Sequence, residues 1–168
     1  PVPGPSACIS ALSVSGLPTD RFRFIGYLPA KQGARLRVME DLAREQDTLI
    51  FYEAPHRIRA TLSDAIIVFG PFRPAMLARE MTKRYEENHR SDLGGCLAWV
   101  EADPGRGKGE YVLIVQGAQT SDADSEAALR ILKILLAELP KSRAAELTAR
   151  ITGMKKNELY RLALELDK

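Results

Sequence analysis

Thr48-Leu49-Ile50-Phe51-Tyr52-Glu53-Ala54-Pro55-His56-Arg57 is the stretch that decides the fold. Its first half is a short apolar run, the pattern of a buried strand, and its second half is a polar turn whose proline suits the first turn of a helix. The helical spacing that follows predicts a helix over residues 56–69. A strand that feeds a helix in this way is the unit of an α/β sheet.

Working outward, the same alternation repeats. Toward the amino end, residues 31–44 place Leu36, Met39, Leu42 and Ala43 at helical spacing, and Arg21 to Gly26 alternates charged and apolar residues at period two, a half-buried strand closed by Pro29. Before it, Ser6 is placed to cap a small-residue helix over 7–15 that Gly16 and Pro18 end. Toward the carboxyl end, Ala75 to Arg79 reads as a strand, residues 84–90 as a polar edge strand, residues 92–101 as a helix, and Tyr111 to Val115 as the clearest strand of the chain. The sum predicts an α/β fold, a mixed β-sheet flanked by helices.

After Gly117 the composition changes. Residues 119–125 form a polar, acidic linker, and helices are expected over 125–138, 141–152 and 155–166, divided by Pro140 and Gly153. Two domains are therefore expected, 1–118 and 119–168. The last 28 residues carry seven Lys or Arg against four acids, and the turn around Thr152-Gly153-Met154-Lys155-Lys156-Asn157 resembles that of a helix-turn-helix. A helical hairpin packing on its own core has the same spacing.

Composition narrows the function classes. With 24 Lys and Arg against 22 Asp and Glu, the net charge of +2 is too small to signal a polyanion partner by itself, so nucleic-acid binding would rest on local patches. Cys8 and Cys96 fit no metal-ligand spacing, and two thiols suit a reducing, cytoplasmic setting. No apolar run reaches the roughly 20 residues of a membrane span. His56 and His89 show neither a nucleophile-elbow nor a zinc pattern, and Gly105 to Gly109 lacks the spacing of a phosphate-binding loop and reads as a flexible basic turn. Two strand ends carry the remaining chemistry. Glu53, His56 and Arg57 follow one strand; Arg79, Glu80 and Lys83 follow another. Open α/β sheets collect ligands at such ends.

Pro3-Gly4-Pro5-Ser6-Ala7, Ser15-Gly16-Leu17-Pro18-Thr19-Asp20-Arg21-Phe22, Gly26-Tyr27-Leu28-Pro29, Leu49 to Arg57, Ala78-Arg79-Glu80-Met81-Thr82-Lys83 and Lys108 to Ile114 occur in one order over most of the chain. Together they resemble the small-subunit ribosomal RNA methyltransferase I family, of the tetrapyrrole methylase fold. The resemblance implies two α/β domains around S-adenosylmethionine (SAM), usually in a homodimer, and methylation of the ribose 2′-oxygen of a cytidine in 16S ribosomal RNA of the small subunit. It covers that family's carboxyl-terminal domain and helical tail. The amino-terminal domain has no counterpart here, and the abrupt Pro-rich start reads as a cut at a linker, so the segment alone is expected to be inactive.

By the same resemblance, Ser6, Ala7, Tyr52, Glu53 and Glu80 are expected at the cofactor. Glu53, Glu80 or His56 would accept the hydroxyl proton, and Arg57, Arg79, Lys83, Lys108, Lys155 and Lys156 would meet RNA. Met81 stands where the family leads one to expect Leu. Two other readings share the fold or the tail: a methyltransferase acting on a porphyrinogen or precorrin, and a non-catalytic RNA-binding module.

Overall fold

A computed structural model describes residues 1–119 and 122–166. Residues 120 and 121 of the expected linker and Asp167 and Lys168 of the charged tail lie outside them. The chain divides into two compact units, Pro1–Ala118 and Gln119–Lys168.

The first unit is a five-stranded mixed sheet flanked by helices, as the alternation of apolar runs and helical spacings predicts. In chain order it contains α1 (Ala7–Ser15), β1 (Phe22–Tyr27), α2 (Gln32–Asp41), β2 (Thr48–Glu53), α3 (Ile58–Phe69), β3 (Pro74–Arg79), β4 (Glu87–Asp92), α4 (Leu93–Glu101), a 3-10 turn (Pro104–Gly107) and β5 (Tyr111–Val115). The strand order is β1-β2-β5-β3-β4, with β1 and β2 parallel and the other pairs antiparallel. The apolar run of β5 is buried along its whole length because it lies in the middle. The polar β4 takes an edge, where Asn88, Arg90 and Ser91 are exposed.

Strand alternation splits the core in two. Leu49, Phe51, Leu77 and Leu113 pack with α2, α3 and α4 on one face, whereas Ile50, Met76, Val112 and Ile114 meet Cys8, Ala11 and Leu12 of α1 on the other. Each fully buried large side chain contributes about 1.5–3 kcal/mol of transfer free energy. A buried ion pair, Arg35 to Asp64 at 2.7 Å, ties α2 to α3, and Gln32 donates to the second Asp64 oxygen at 2.8 Å.

Element ends differ from the sequence expectations for local reasons. Ser6 holds the N-cap position of α1 but its side chain makes no capping bond; the Cys8 amide instead donates to the Tyr52 hydroxyl at 3.0 Å. The other end of α1 closes as expected, on Gly16 at φ 72°, and Arg90 Nε donates to the Val14 carbonyl at 2.7 Å, a cation at the negative end of the helix. Helix α3 begins two residues later than expected, because residues 55–57 are spent in a turn. Strand β4 starts at Glu87, three residues late, and Asp92 caps α4 by accepting from the Gly95 amide at 2.7 Å.

The loop expected as a flexible basic turn is pinned. Arg106 lies 3.9 Å over the Trp99 ring, donates to the Trp99 carbonyl at 2.8 Å and pairs with Glu87.

The second unit is three helices, α5 (Asp122–Leu136), α6 (Lys141–Thr152) and α7 (Lys156–Glu165), around Ala128, Leu132, Ala144, Ala145, Leu159 and Ala163. Helix α5 starts three residues before and ends two before the expected span. Gly153 at φ 76° ends α6 in the left-handed conformation that glycine adopts without strain.

Candidate functional site

Alternation along β2 separates two neighbours that the sequence reading placed at one site. Tyr52 faces α1 and Glu53 faces α3, on opposite sides of the sheet. Glu53 is buried, and both of its oxygens are used: Oε1 accepts from the Ala54 amide at 2.8 Å and faces Arg57 Nε at 3.2 Å, while Oε2 accepts from Thr61 Oγ1 at 2.6 Å. Arg57 is drawn inward by the same carboxylate and donates to the Leu28 carbonyl at 2.7 Å. The cluster fastens the start of α3 to the end of β1. His56 stands beside it, exposed.

On the α1 face the sheet end opens into a shallow pocket of about 110 Å³, lined by Ala7, Tyr27, Tyr52, Met81, Lys83, Glu110, Tyr111 and Val112. The Tyr52 ring forms its back wall. Its hydroxyl holds the first turn of α1, and it meets Phe24 and Tyr27 edge to face at 4.9 and 5.8 Å. Ser6 lies next to Ala7 at the exposed entry to α1.

Opposite Tyr52, the turn after β3 is strained. Glu80 and Thr82 both take positive φ, 51° and 63°, although neither is glycine. Such strain persists only where surrounding bonds impose it. Here the Glu80 amide donates to the Glu110 carbonyl at 2.9 Å, the Glu110 amide donates back to Glu80 Oε1 at 2.9 Å, and Thr82 donates to Glu86 at 2.7 Å. Gly109 is needed beside it: its φ is 94°, and a Cβ there would stand 2.6 Å from Glu80 Cγ.

Lys83 Nζ bridges Glu80 Oε1 at 3.0 Å and Glu110 Oε2 at 2.7 Å. The lysine hydrogen bond holds the Glu80 carboxyl below its ordinary range, with the Glu110 amide adding to it, and Glu110 and Glu80 together raise the Lys83 ammonium. Both charges are therefore fixed near neutral pH.

The other basic candidates separate in the same way. Arg79 points into its own loop, pairing with Glu87 at 2.6 Å and donating to the Lys108 and Gly105 carbonyls at 2.8 and 3.1 Å. The Lys108 side chain is exposed. In the second unit, Lys155 and Lys156 are exposed at the start of α7, with Lys156 3.9 Å from Glu146.

Five pocket residues, Tyr27, Met81, Glu110, Tyr111 and Val112, were not among the sequence candidates. Tyr27 and Glu110 sit at the end of one strand and the start of another, a position shared with many surface residues.

Among the described residues no helix is long and apolar enough to cross a membrane. Residues 1–95 match a family described as tetrapyrrole (corrin/porphyrin) methylases, and residues 122–167 match the RsmI C-terminal HTH domain. A protein of Escherichia coli O157:H7 named ribosomal RNA small subunit methyltransferase I is 50% identical over 98% of this chain and 58% of its own length. Proteins of the same name from Pseudomonas aeruginosa and Vibrio cholerae are 47% and 46% identical, over 60% and 58% of theirs. The chain thus spans a little under two thirds of the length of these relatives. The crystal structure of the methyltransferase CobJ superposes with a TM-score of 0.51 at 21% identity, covering 71% of this chain and 51% of CobJ. Cobalt precorrin-4 methyltransferase CbiF gives 0.51 at 16% identity, covering 68% and 50%. Both likenesses concern the fold. The chain belongs to the tetrapyrrole methylase family, and its similarity to the ribosomal RNA small subunit methyltransferase I proteins runs through both of its units.

Proposed function

We propose that this chain is the carboxyl-terminal part of a SAM-dependent methyltransferase that modifies the ribose 2′-hydroxyl of a cytidine in 16S ribosomal RNA of the small subunit, working in the cytoplasm as a homodimer. The observation that carries the reading is the pocket between α1 and the strained Glu80 turn, in a chain half identical to relatives of that name. Its contents suit the cofactor. Tyr52, Met81 and Val112 offer apolar and aromatic surface, and Ala7, preceded by Ser6, offers backbone groups at the start of a helix. When bound, SAM supplies an electrophilic methyl group on a sulfonium.

The residues of this chain do the rest by position. Lys83, locked between the Glu80 and Glu110 carboxylates, has its charge spent on the turn and is assigned, with Glu80, to holding the pocket wall in shape. Glu80 is the carboxylate nearest the role of proton acceptor, but its lowered pKa makes it a weak base, so orientation of the hydroxyl is assigned the larger share of the work. His56 is the exposed alternative. Glu53, Arg57 and Arg79, whose polar groups are turned inward, are assigned to holding the scaffold. Lys108, Lys155 and Lys156 are assigned to the RNA backbone, since exposed lysines neutralise phosphates most readily.

A pocket of about 110 Å³ is below the 300–1,000 Å³ range of sites that enclose a small ligand. The 168 residues alone are therefore expected to bind SAM weakly and to be silent in catalysis. Micromolar affinity by calorimetry would overturn that expectation. The function itself is tested by labelled methyl transfer from SAM, using the full gene product and small ribosomal subunits that lack the modification, with a porphyrinogen in parallel. Label in the ribose of the RNA supports the proposal; label in the porphyrinogen, or in neither, overturns it.

A further inference from the structure

Strand β1 is an edge strand, and its register against β2 skips one residue: Phe22 pairs with Thr48 and Phe24 with Ile50, but Gly26 then pairs with Phe51 and Tyr27 with Tyr52. Ile25 is the extra residue, and Gly26 takes φ 78° to accommodate it. Bulges are rare between parallel strands, and where they occur they re-aim a side chain.

The consequence follows from the period of two. Without the skip, Tyr27 would fall on the face of the sheet opposite Phe22 and Phe24. With it, all three rings oppose Thr48, Ile50 and Tyr52 and lie on the α1 face, while Ile25 packs into the core of the other face. They form an aromatic stripe that runs along the edge and ends in the pocket, where Tyr27 is a wall.

Phe24 and Tyr27 touch the Tyr52 ring, and beyond that contact the three rings stay open to solvent. Phe22, Phe24 and Tyr27 are 40%, 49% and 62% exposed, and no hydrogen bond holds the Tyr27 hydroxyl among the described residues. Electrostatics is absent from the stripe as well, because Arg21 and Arg23 of the same segment are paired with Asp47 and Glu45 at 3.0 and 3.2 Å. What remains is exposed π surface leading to a pocket whose ammonium, Lys83, is likewise paired, with Glu80 and Glu110. Such a surface suits an unpaired nucleobase, whose ring stacks on the aromatic face.

We infer that Tyr27, backed by Phe24, is the platform on which an unstacked nucleobase of the RNA substrate lies as its ribose enters the pocket. The inference rests on the proposed RNA methyl transfer and adds a specificity-determining residue to it.

The experiment compares the affinity of the full gene product for a short single-stranded oligoribonucleotide with its affinity for the same strand carrying an abasic residue at one position. For the intact strand, Tyr27→Leu is expected to weaken binding about tenfold, the scale of one lost base stack. Binding of the abasic strand and the dependence on salt should stay as they were. Tyr27→Phe, which keeps the ring, should bind like the unsubstituted protein. Equal losses on both strands would overturn the inference and make the ring part of the scaffold. Unchanged RNA affinity with an altered sedimentation coefficient would overturn it too and give the stripe to a second copy of the chain. If the unsubstituted protein shows no salt-dependent RNA binding, the RNA reading itself fails, and this inference with it.

Discussion

Glu53–Arg57 and Glu80–Lys83 look alike as sequence: each is a carboxylate followed within four residues by a cation, just past a strand. The fold gives them opposite fates. The first pair is turned into the sheet's larger core, where Glu53 accepts from Ala54 and Thr61 and Arg57 donates to the Leu28 carbonyl. The second sits at a pocket on a backbone strained at two residues, with Lys83 47% exposed. A pair that is turned inward and bonded to its own scaffold builds structure. A pair that is strained and accessible is available for chemistry, and the proposed reaction lies on its side of the sheet.

The sharpest way to break this contrast is Glu53→Ala. It leaves Arg57 and Thr61 facing a buried void, and removing one member of a buried pair costs on the order of 3–5 kcal/mol. Urea unfolding should show that loss; a change below about 1 kcal/mol would mean that the first pair is not structural.

Next is Gly109→Ala, which drives a methyl into Glu80 and forces a left-handed residue to carry a Cβ. A cost of about 1–3 kcal/mol is expected in thermal unfolding, together with a disturbed pocket.

Glu80→Gln should separate the two clusters most cleanly. The unfolding midpoint should hardly move, yet methyl transfer by the full gene product should fall about tenfold to a hundredfold as the turn loses its register. Parallel loss of stability and activity would remove the distinction between the two pairs.

The smallest effects are those of pH. Burial, then the charge of Arg106, lowers the pKa of His89, whose ring stacks on Trp99 at 5.0 Å. Because the folded value lies below the unfolded one, its contribution is complete above about 6.5 and is lost as pH falls through the lowered value. Lys83 lowers Glu80 in the same sense, so its contribution is complete above about 4.3 and is lost as pH falls through its own lowered value. Unfolding measured against pH should fall in two shallow steps, and His89→Phe should remove only the first.

Much of the fold was legible because burial writes itself into runs and periods. The runs of β2 and β5, the glycine at the end of α6 and the polar edge strand β4 all followed from that. Element starts were less legible: Tyr52, 44 residues away in sequence from Cys8, supplies the bond that Ser6 was expected to make. At the site, the sequence could bring Ala7, Tyr52, Glu80 and Lys83 to attention but could not tell which side of the sheet Glu53 would take relative to its partners. It was equally silent on Tyr27, whose face depends on a one-residue skip that leaves no mark in composition or period.

The proposed function puts the cofactor in the pocket between α1 and the Glu80 turn, and not at the Glu53 end of the sheet. Amide chemical shifts of the 168-residue chain, followed while SAM is added, test it directly. Weak, saturable changes are expected at Ala7, Tyr52, Met81, Lys83 and Glu110, with Glu53 and Thr61 unmoved. Changes centred on Glu53, Arg57 and Thr61, or none at the pocket, would contradict it.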